Sequence, residues 1–371
     1  MRILYWADSW WPSIGGIEVL GAQFVRELAS RGFEPLVLTS HCGRQLPDDE
    51  ARDGVRVLRL PFAEAFETRR LDFFALIRRR IEQLKREWRP EIIHLHFPAP
   101  SGIFHLQTRD ASAAPLLLAM HTHIPNWDTG TDTLSGKLLR ESVWLCANSD
   151  ATLDVARTAY AEISSRSSVI YNGLREPALP PAPLSFDPPI VACIARLMHK
   201  KGVDVAIRAM RALHEKRAEV RLIIAGDGPE KARLEHLIND LGLHSCVELR
   251  GWIAPEKLHA FLNESMIVVI PSRTMEPFGN VAVEAMQMGR PVVGTRQGGL
   301  AELIVEGETG FLVEPDDPAA IADRIDRLAL DPALALRMGT AGQMRARSHF
   351  SLDRCVDKYI HLYKSLAGKL H

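Results

Sequence analysis

The chain has 371 residues, 46% of them apolar and 25% charged, the proportions of an ordinary soluble protein with room for two separate cores. A formal net charge of −1 gives a nucleic-acid partner no electrostatic support, and five cysteines without a Cys-x-x-Cys pair argue against structural zinc and suit a reducing compartment. The apolar start of "MRILYWADSWWPS" is too short for a signal peptide, and no stretch approaches the roughly 20 apolar residues of a spanning helix, so a cytoplasmic location is expected.

In chain order, short apolar runs alternate with helical patterns, which predicts an α/β architecture with parallel sheets. The first run, "RILYWA", leads to "PSIGGIEVL", where Gly15 and Gly16 open an amphipathic stretch that Gly32 stops. That stretch does not spell Gly-x-Gly-x-x-Gly, so a nicotinamide cofactor is not expected. The runs "EPLVLTS", "EIIHLHF", "PLLLAMH", "VWLCANS" and "SVIYNG" follow as further strands. Between them lies the Arg-rich segment from Glu67 to Arg89, which reads as a core-packed helix or as a basic face for peripheral contact with an anionic membrane. Alternation puts His94 and His96 on one strand face, and likewise His121 and His123. Paired strand histidines can bind metal, but no nearby carboxylate or thiol set accompanies them, and no metal site is expected.

The proline-dense "EPALPPAPLSFDPP" (Glu176 to Pro189) reads as an interdomain linker. A second strand series follows: "PIVACIAR", "RLIIAGD", "VELRGW", "MIVVIPS", "RPVVGT" and "GFLV". The expected architecture is two Rossmann-like doubly wound domains, residues 1–180 and 186–350, facing across a cleft. A last amphipathic segment, from about 352 to 371, is expected to return to the first domain.

Ligands in open α/β sheets bind beyond the carboxyl ends of strands. After the second domain's first strand come Arg196 and Lys201, two cations before a glycine-led helix, which could hold a diphosphate or simply line a solvated loop. After its fourth strand comes "EPFGNVAVEAMQMGRPVV". Here Asn280 could cap the helix, Gly279 permits close backbone approach, and the amides of Gly279, Asn280 and Val281 could face the same anion. Glu276 on the loop and Glu284 one turn into the helix suit paired hydroxyl donors, such as those of a hexose and a ribose. Complementing the helix dipole is the plainer role for Glu284, and it accounts poorly for Glu276.

This last stretch resembles the Glu-x7-Glu signature of retaining nucleotide-sugar glycosyltransferases of family four, which have the GT-B fold. "IARLMHKKGVD", "IAGDGPEKARLE", "VELRGWI", "GGLAELIVEGETGFLVEPDDP" and "PSIGGIEVL" are similar to other segments of that family, so the resemblance spans almost the whole chain. It implies transfer of a sugar from a nucleoside diphosphate sugar to a hydroxyl acceptor, with retained configuration, no cofactor and no metal. By that resemblance Glu284 would hold the donor ribose, Glu276 would contact the transferred sugar, and Phe278 would be among the substrate-binding residues. Arg196 and Lys201 would neutralise the diphosphate, and Gly251 and Trp252 would border the base. Gly15 and Gly16 would close the pocket from the first domain, and His121, or alternatively His123, would be the cleft histidine. "PDDP" at Pro315 to Pro318 reads as a surface turn. A UDP-sugar epimerase of the same fold, or a nucleotide-sugar binding protein without catalysis, are the competing functions.

Overall fold

The computed structural model describes residues 1–13, 15–125 and 128–368. Its contacts divide the chain into two units: residues 1–175 together with the terminal segment from Leu352, and Glu176–Ser351.

The first unit holds an eight-stranded sheet of β1 (Arg2–Trp6), β2 (Glu34–Ser40), β3 (Asp49–Arg52), β4 (Val55–Leu60), β5 (Ile92–Phe97), β6 (Leu116–Met120), β7 (Trp144–Ala147) and β8 (Ser167–Val169). Their order is β3-β4-β2-β1-β5-β6-β7-β8, and every pair is parallel except β3 with β4. The sequence reading missed that hairpin. Its turn, Asp53-Gly54, takes positive φ at both positions (49° and 77°), as a tight two-residue hairpin requires.

Because strand side chains alternate, the sheet has two distinct apolar faces. Leu4, Trp6, Leu36, Leu38, Leu95 and Leu118 enter one core. Ile3, Tyr5, Val37 and Leu117 enter the other, where they meet Phe24 and Val25 of the helix Gly16–Ser30 and Val356, Tyr359 and Tyr363 of the helix Leu352–Ala367. The terminal helix is therefore part of the first unit's core. The Arg-rich helix Leu71–Trp88 buries Ile77, Ile81, Leu84 and Lys85 against this unit, while Leu71 stays 83% exposed. Among the described residues, no helix is long and apolar enough to cross a membrane.

The second unit holds β9 (Ile190–Ile194), β10 (Arg221–Ala225), β11 (Val247–Gly251), β12 (Ile267–Ile270), β13 (Val292–Thr295) and β14 (Gly310–Val313), all parallel, in the order β11-β10-β9-β12-β13-β14. The sheet runs outward in opposite directions from its two central strands, β9 and β12. This is the arrangement that opens a crevice at their carboxyl ends.

The proline-dense stretch differs from a free linker. Buried Arg290 donates to Ala182 O (2.8 Å), Leu262 O (2.9 Å) and Asn263 O (3.1 Å), while the Asn263 side chain donates to Pro180 O (3.0 Å) and accepts from Ala182 N (2.9 Å). Proline cannot supply ladder hydrogen bonds, so side chains hold this segment onto the second unit instead.

Candidate active site

The loops leaving β9, β10 and β12 pack against one another through glycines. A Cβ on Gly226 would lie 1.8 Å from Ala195 O, and one on Gly228 2.4 Å from Leu197 O. Leu197 N donates to Asp227 O (2.9 Å) and Glu230 N to Leu197 O (3.0 Å), which ties the loop carrying Arg196 to its neighbour. Arg196 itself is exposed, and no described residue pairs with its guanidinium. Gly202 (φ 63°) lies flat on the β12 exit, where a Cβ would sit 1.9 Å from Pro271 O.

That contact places Lys201 beside the β12 loop. Lys201 Nζ meets Glu276 Oε1 at 2.5 Å, and the same oxygen accepts from Ser272 Oγ at 2.5 Å. The Glu276 backbone is fixed from behind: Gly299 N donates to Glu276 O (2.8 Å), and a Cβ on Gly298 (φ 53°) would lie 2.3 Å from that carbonyl. Gly298→Ala is accordingly expected to cost about 1–3 kcal/mol and to displace Glu276. A melting temperature several degrees lower, with impaired turnover, would match; an unchanged variant would contradict the contact.

Two expectations for this loop need correction. Asn280 is the first residue of the helix Asn280–Gln287 and not its cap; Gly279 (φ 111°) holds the cap position, without a capping side chain. The left-handed turn needs glycine there and leaves the first amides without an Asn acceptor. Phe278 is 3% exposed and packs against Phe350, ring centroids 5.9 Å apart, so its side chain belongs to the core and any contact with a ligand falls to its backbone.

Val281 is half-buried in the first turn. Glu284, one turn in, is also half-buried, and among the described residues its carboxylate has no hydrogen-bond or ion-pair partner. Burial without compensation pushes its pKa up from 4.5 to about 7. Gly251 closes β11 with φ 83°, and Trp252 after it is 57% exposed, a large apolar surface left open beside a strand exit.

In the first unit, strand parity collects His94, His96 and His121 on the face of Tyr5. His96 Nε2 is hydrogen-bonded to Tyr5 OH, His94 Nδ1 meets Tyr363 OH at 2.5 Å, and the rings of His96 and His121 lie 4.6 Å apart. Tyr5, His94, His96, His121 and Asn172 line a cavity of about 30 Å³, and Asn172 hydrogen-bonds the His121 ring. Burial lowers His121 to about 4 and His94 to about 3, so both are uncharged at neutral pH. His123 does not line this cavity. Gly15 caps the helix Gly16–Ser30 in extended geometry, but the Glu18 carboxylate already folds against it, 2.3 Å from where a Cβ would stand. The bare backbone expected at Gly15 and Gly16 thus has an anionic neighbour.

Residues 179–345 match the model of glycosyl transferases group 1, and residues 14–176 that of Glycosyltransferase Family 4. The chain belongs to glycosyltransferase family four. It is 29% identical to a glycogen synthase of Mycobacterium tuberculosis over 94% of this chain and 91% of that one. It is 34% identical to an alpha-D-kanosaminyltransferase of Streptomyces kanamyceticus over 48% of this chain, a match that spans less than half (46%) of that protein. Among solved structures, sucrose-phosphate synthase from Thermosynechococcus elongatus superposes with a TM-score of 0.84 at 24% identity, covering 99% of each chain. Anabaena HepE in complex with UDP-glucose superposes at 0.76 and 22% identity, covering 98% of this chain and 100% of that one. These likenesses make the fold of this glycosyltransferase GT-B.

In this family-four chain, several residues that build the site escaped the sequence reading. Ser272, which shares Glu276 with Lys201, and the Gly298-Gly299 pair behind it carried a usable signal, since consecutive glycines ahead of a helix mark close backbone approach. Outside the site, the stretch Pro315 to Pro318 is the surface turn expected, with two added roles: Asp317 caps the helix Pro318–Leu330 by accepting from Ala320 N (2.8 Å), and exposed Asp316 pairs with Arg273 at 2.5 Å. Among the described residues, no group of three or more His, Cys, Asp or Glu is placed to hold a metal ion.

Proposed function

We propose that this glycosyltransferase is a retaining, metal-independent enzyme that moves a hexosyl group from a nucleoside diphosphate sugar to a hydroxyl acceptor. The carrying observation is the Lys201–Glu276 contact at 2.5 Å, with both residues on loops that end at helix starts. A cation beside a glycine-led helix start suits the diphosphate, and a carboxylate next to it suits sugar hydroxyls. HepE, solved in complex with UDP-glucose, supports a donor of this class.

In this reading Lys201, exposed Arg196 and the amides from Gly279 to Val281 oppose the negative charge that grows on the β-phosphate as the glycosidic bond lengthens. Glu284 accepts from the ribose hydroxyls. Trp252 and the Gly251 backbone border the base. One Glu276 oxygen is engaged by Lys201 and Ser272, which blunts it as a nucleophile. A same-face displacement, in which the leaving phosphate oxygen takes the acceptor proton, therefore fits better than a glycosyl-enzyme intermediate. His121 of the first unit, uncharged at neutral pH, acts on a bound acceptor only as a hydrogen-bonding partner. The donor base, the sugar and the acceptor define the test. UDP-, GDP- and ADP-sugars are each incubated with candidate acceptors, with and without EDTA, and products are followed by NMR. Nucleoside diphosphate release with an axial-to-axial or equatorial-to-equatorial product, unaffected by EDTA, is expected. An epimerised sugar, an inverted linkage or a metal requirement would overturn the proposal.

A further inference from the structure

Arg273 stands three residues ahead of Glu276, on the loop leaving β12, and it reaches every element that holds Lys201. Its guanidinium grips Asp204 through two parallel bonds, Nη1 to Oδ1 at 2.6 Å and Nη2 to Oδ2 at 2.8 Å. Nη1 also donates to His199 O (3.1 Å), and its backbone N donates to Lys200 O (2.9 Å). Lys201 is thus bracketed by anchors at 199 and 200 before it and at 204 after it, all on one side chain and its own amide. On the other side, Gln297 Nε2 donates to Arg273 O (3.1 Å), which ties in the segment that leads to Gly298 and Gly299 behind Glu276. Nε spends its proton on Asp316 (2.5 Å).

The fork is well placed to be rigid. The Asp204 side chain is 7% exposed and that of Arg273 16%, so water competes weakly for either group. A planar guanidinium can satisfy two carboxylate oxygens, a carbonyl and a second carboxylate at fixed angles, whereas an ammonium acts as a point charge on a flexible stem. Arg273 itself forms no described hydrogen bond or ion pair with Lys201 or Glu276. What it sets is the separation of the two loops that carry them.

We propose that Arg273, clamped on Asp204, is a positioning residue for glycosyl transfer, holding the Lys201 and Glu276 loops at the spacing the donor requires. This inference rests on the reading of Lys201 and Glu276 as the donor-binding pair. Arg273→Lys keeps the charge but loses the fork, so transfer is expected to fall by about 10²-fold, the scale set by a small misplacement of reacting groups. Asp204→Asn should reproduce the loss. Asp316→Asn, which frees only the exposed outer bond, should stay within about twofold, as for an exposed pair.

The decisive measurement is a double-mutant cycle of kcat/KM with Lys201→Ala, alongside melting temperatures. If Arg273 acts through Lys201, Arg273→Lys adds little to the loss already caused by Lys201→Ala. Additive losses, or full turnover in Arg273→Lys, would overturn the proposal. Should Arg273→Lys not fold, the same cycle is run with Asp204→Asn, and the same two outcomes decide. A Lys201→Ala enzyme with wild-type turnover would instead remove the donor-site reading on which the clamp depends.

Discussion

Lys201→Ala is expected to lower glycosyl transfer by about 10²–10³, with kcat falling more than donor affinity. The reason is that charge develops on the leaving phosphate in the transition state, and a fixed cation beside it is worth most at that moment. Stability should change little. The Lys201 side chain is 27% exposed, and an ion pair of that kind contributes about 1 kcal/mol at most. Glu276 retains the Ser272 hydroxyl when the lysine is gone, so its loop keeps one anchor. Arg196→Ala should behave similarly in turnover and even more mildly in stability, since Arg196 is exposed and unpaired among the described residues. Steady-state kinetics with a competent donor, together with thermal melts, check both variants. Near-normal turnover in the two would remove the diphosphate site.

Glu284→Gln is expected to produce opposite effects on binding and on stability. A ribose donates protons to a carboxylate, so donor binding requires the ionised form of a group whose pKa stands near 7. Nucleotide affinity should therefore rise with pH up to about 7 and level off above it, and binding near neutral pH should release a proton. The glutamine variant binds more weakly and loses this pH dependence. For the ligand-free protein the sign reverses. Between the ordinary value of 4.5 and about 7, the folded state holds the Glu284 proton more tightly than the unfolded state does. Stability consequently declines as pH rises through that window and stays lowered above it. Glu284→Gln removes the uncompensated charge, so its melting temperature at pH 8 should exceed that of wild type, and the two should converge near pH 4. Calorimetric titration of nucleotide in buffers of different ionisation heats, and melts across that pH range, measure both halves. Equal nucleotide affinity in the two proteins would exclude Glu284 from the site.

Much of the architecture was legible because it depends on local pattern. Alternating apolar runs and helical stretches announce parallel α/β units whatever they pack against. Glu276 and Glu284, eight positions apart around Gly279, predict a loop carboxylate and a helix carboxylate from spacing alone. The β3–β4 hairpin is equally legible in Asp53-Gly54 between two strand-like runs.

The amino-acid sequence by itself thus determined the fold class, the strand-end loops and which charged residues stand on them. Only tertiary structure decided how those residues are used. Lys201 and Glu276 are 75 positions apart and Arg273 and Asp204 are 69 apart, so nothing in the local spacing announces that each pair shares hydrogen bonds. The strap formed by Arg290 reaches 108 positions back to Ala182, and turns a stretch that reads as a linker into part of the second unit. Asn280 has the composition of a cap, yet Gly279 takes that place because the turn requires positive φ there. Glu284 has the sequence context of an ordinary helix carboxylate, and its raised pKa comes entirely from burial by packed neighbours. Secondary-structure pattern follows from backbone and side-chain propensities that act over a few residues. Ion pairing, burial and proton affinity depend on which distant segments fold against each other, and that is settled only when the whole core has packed.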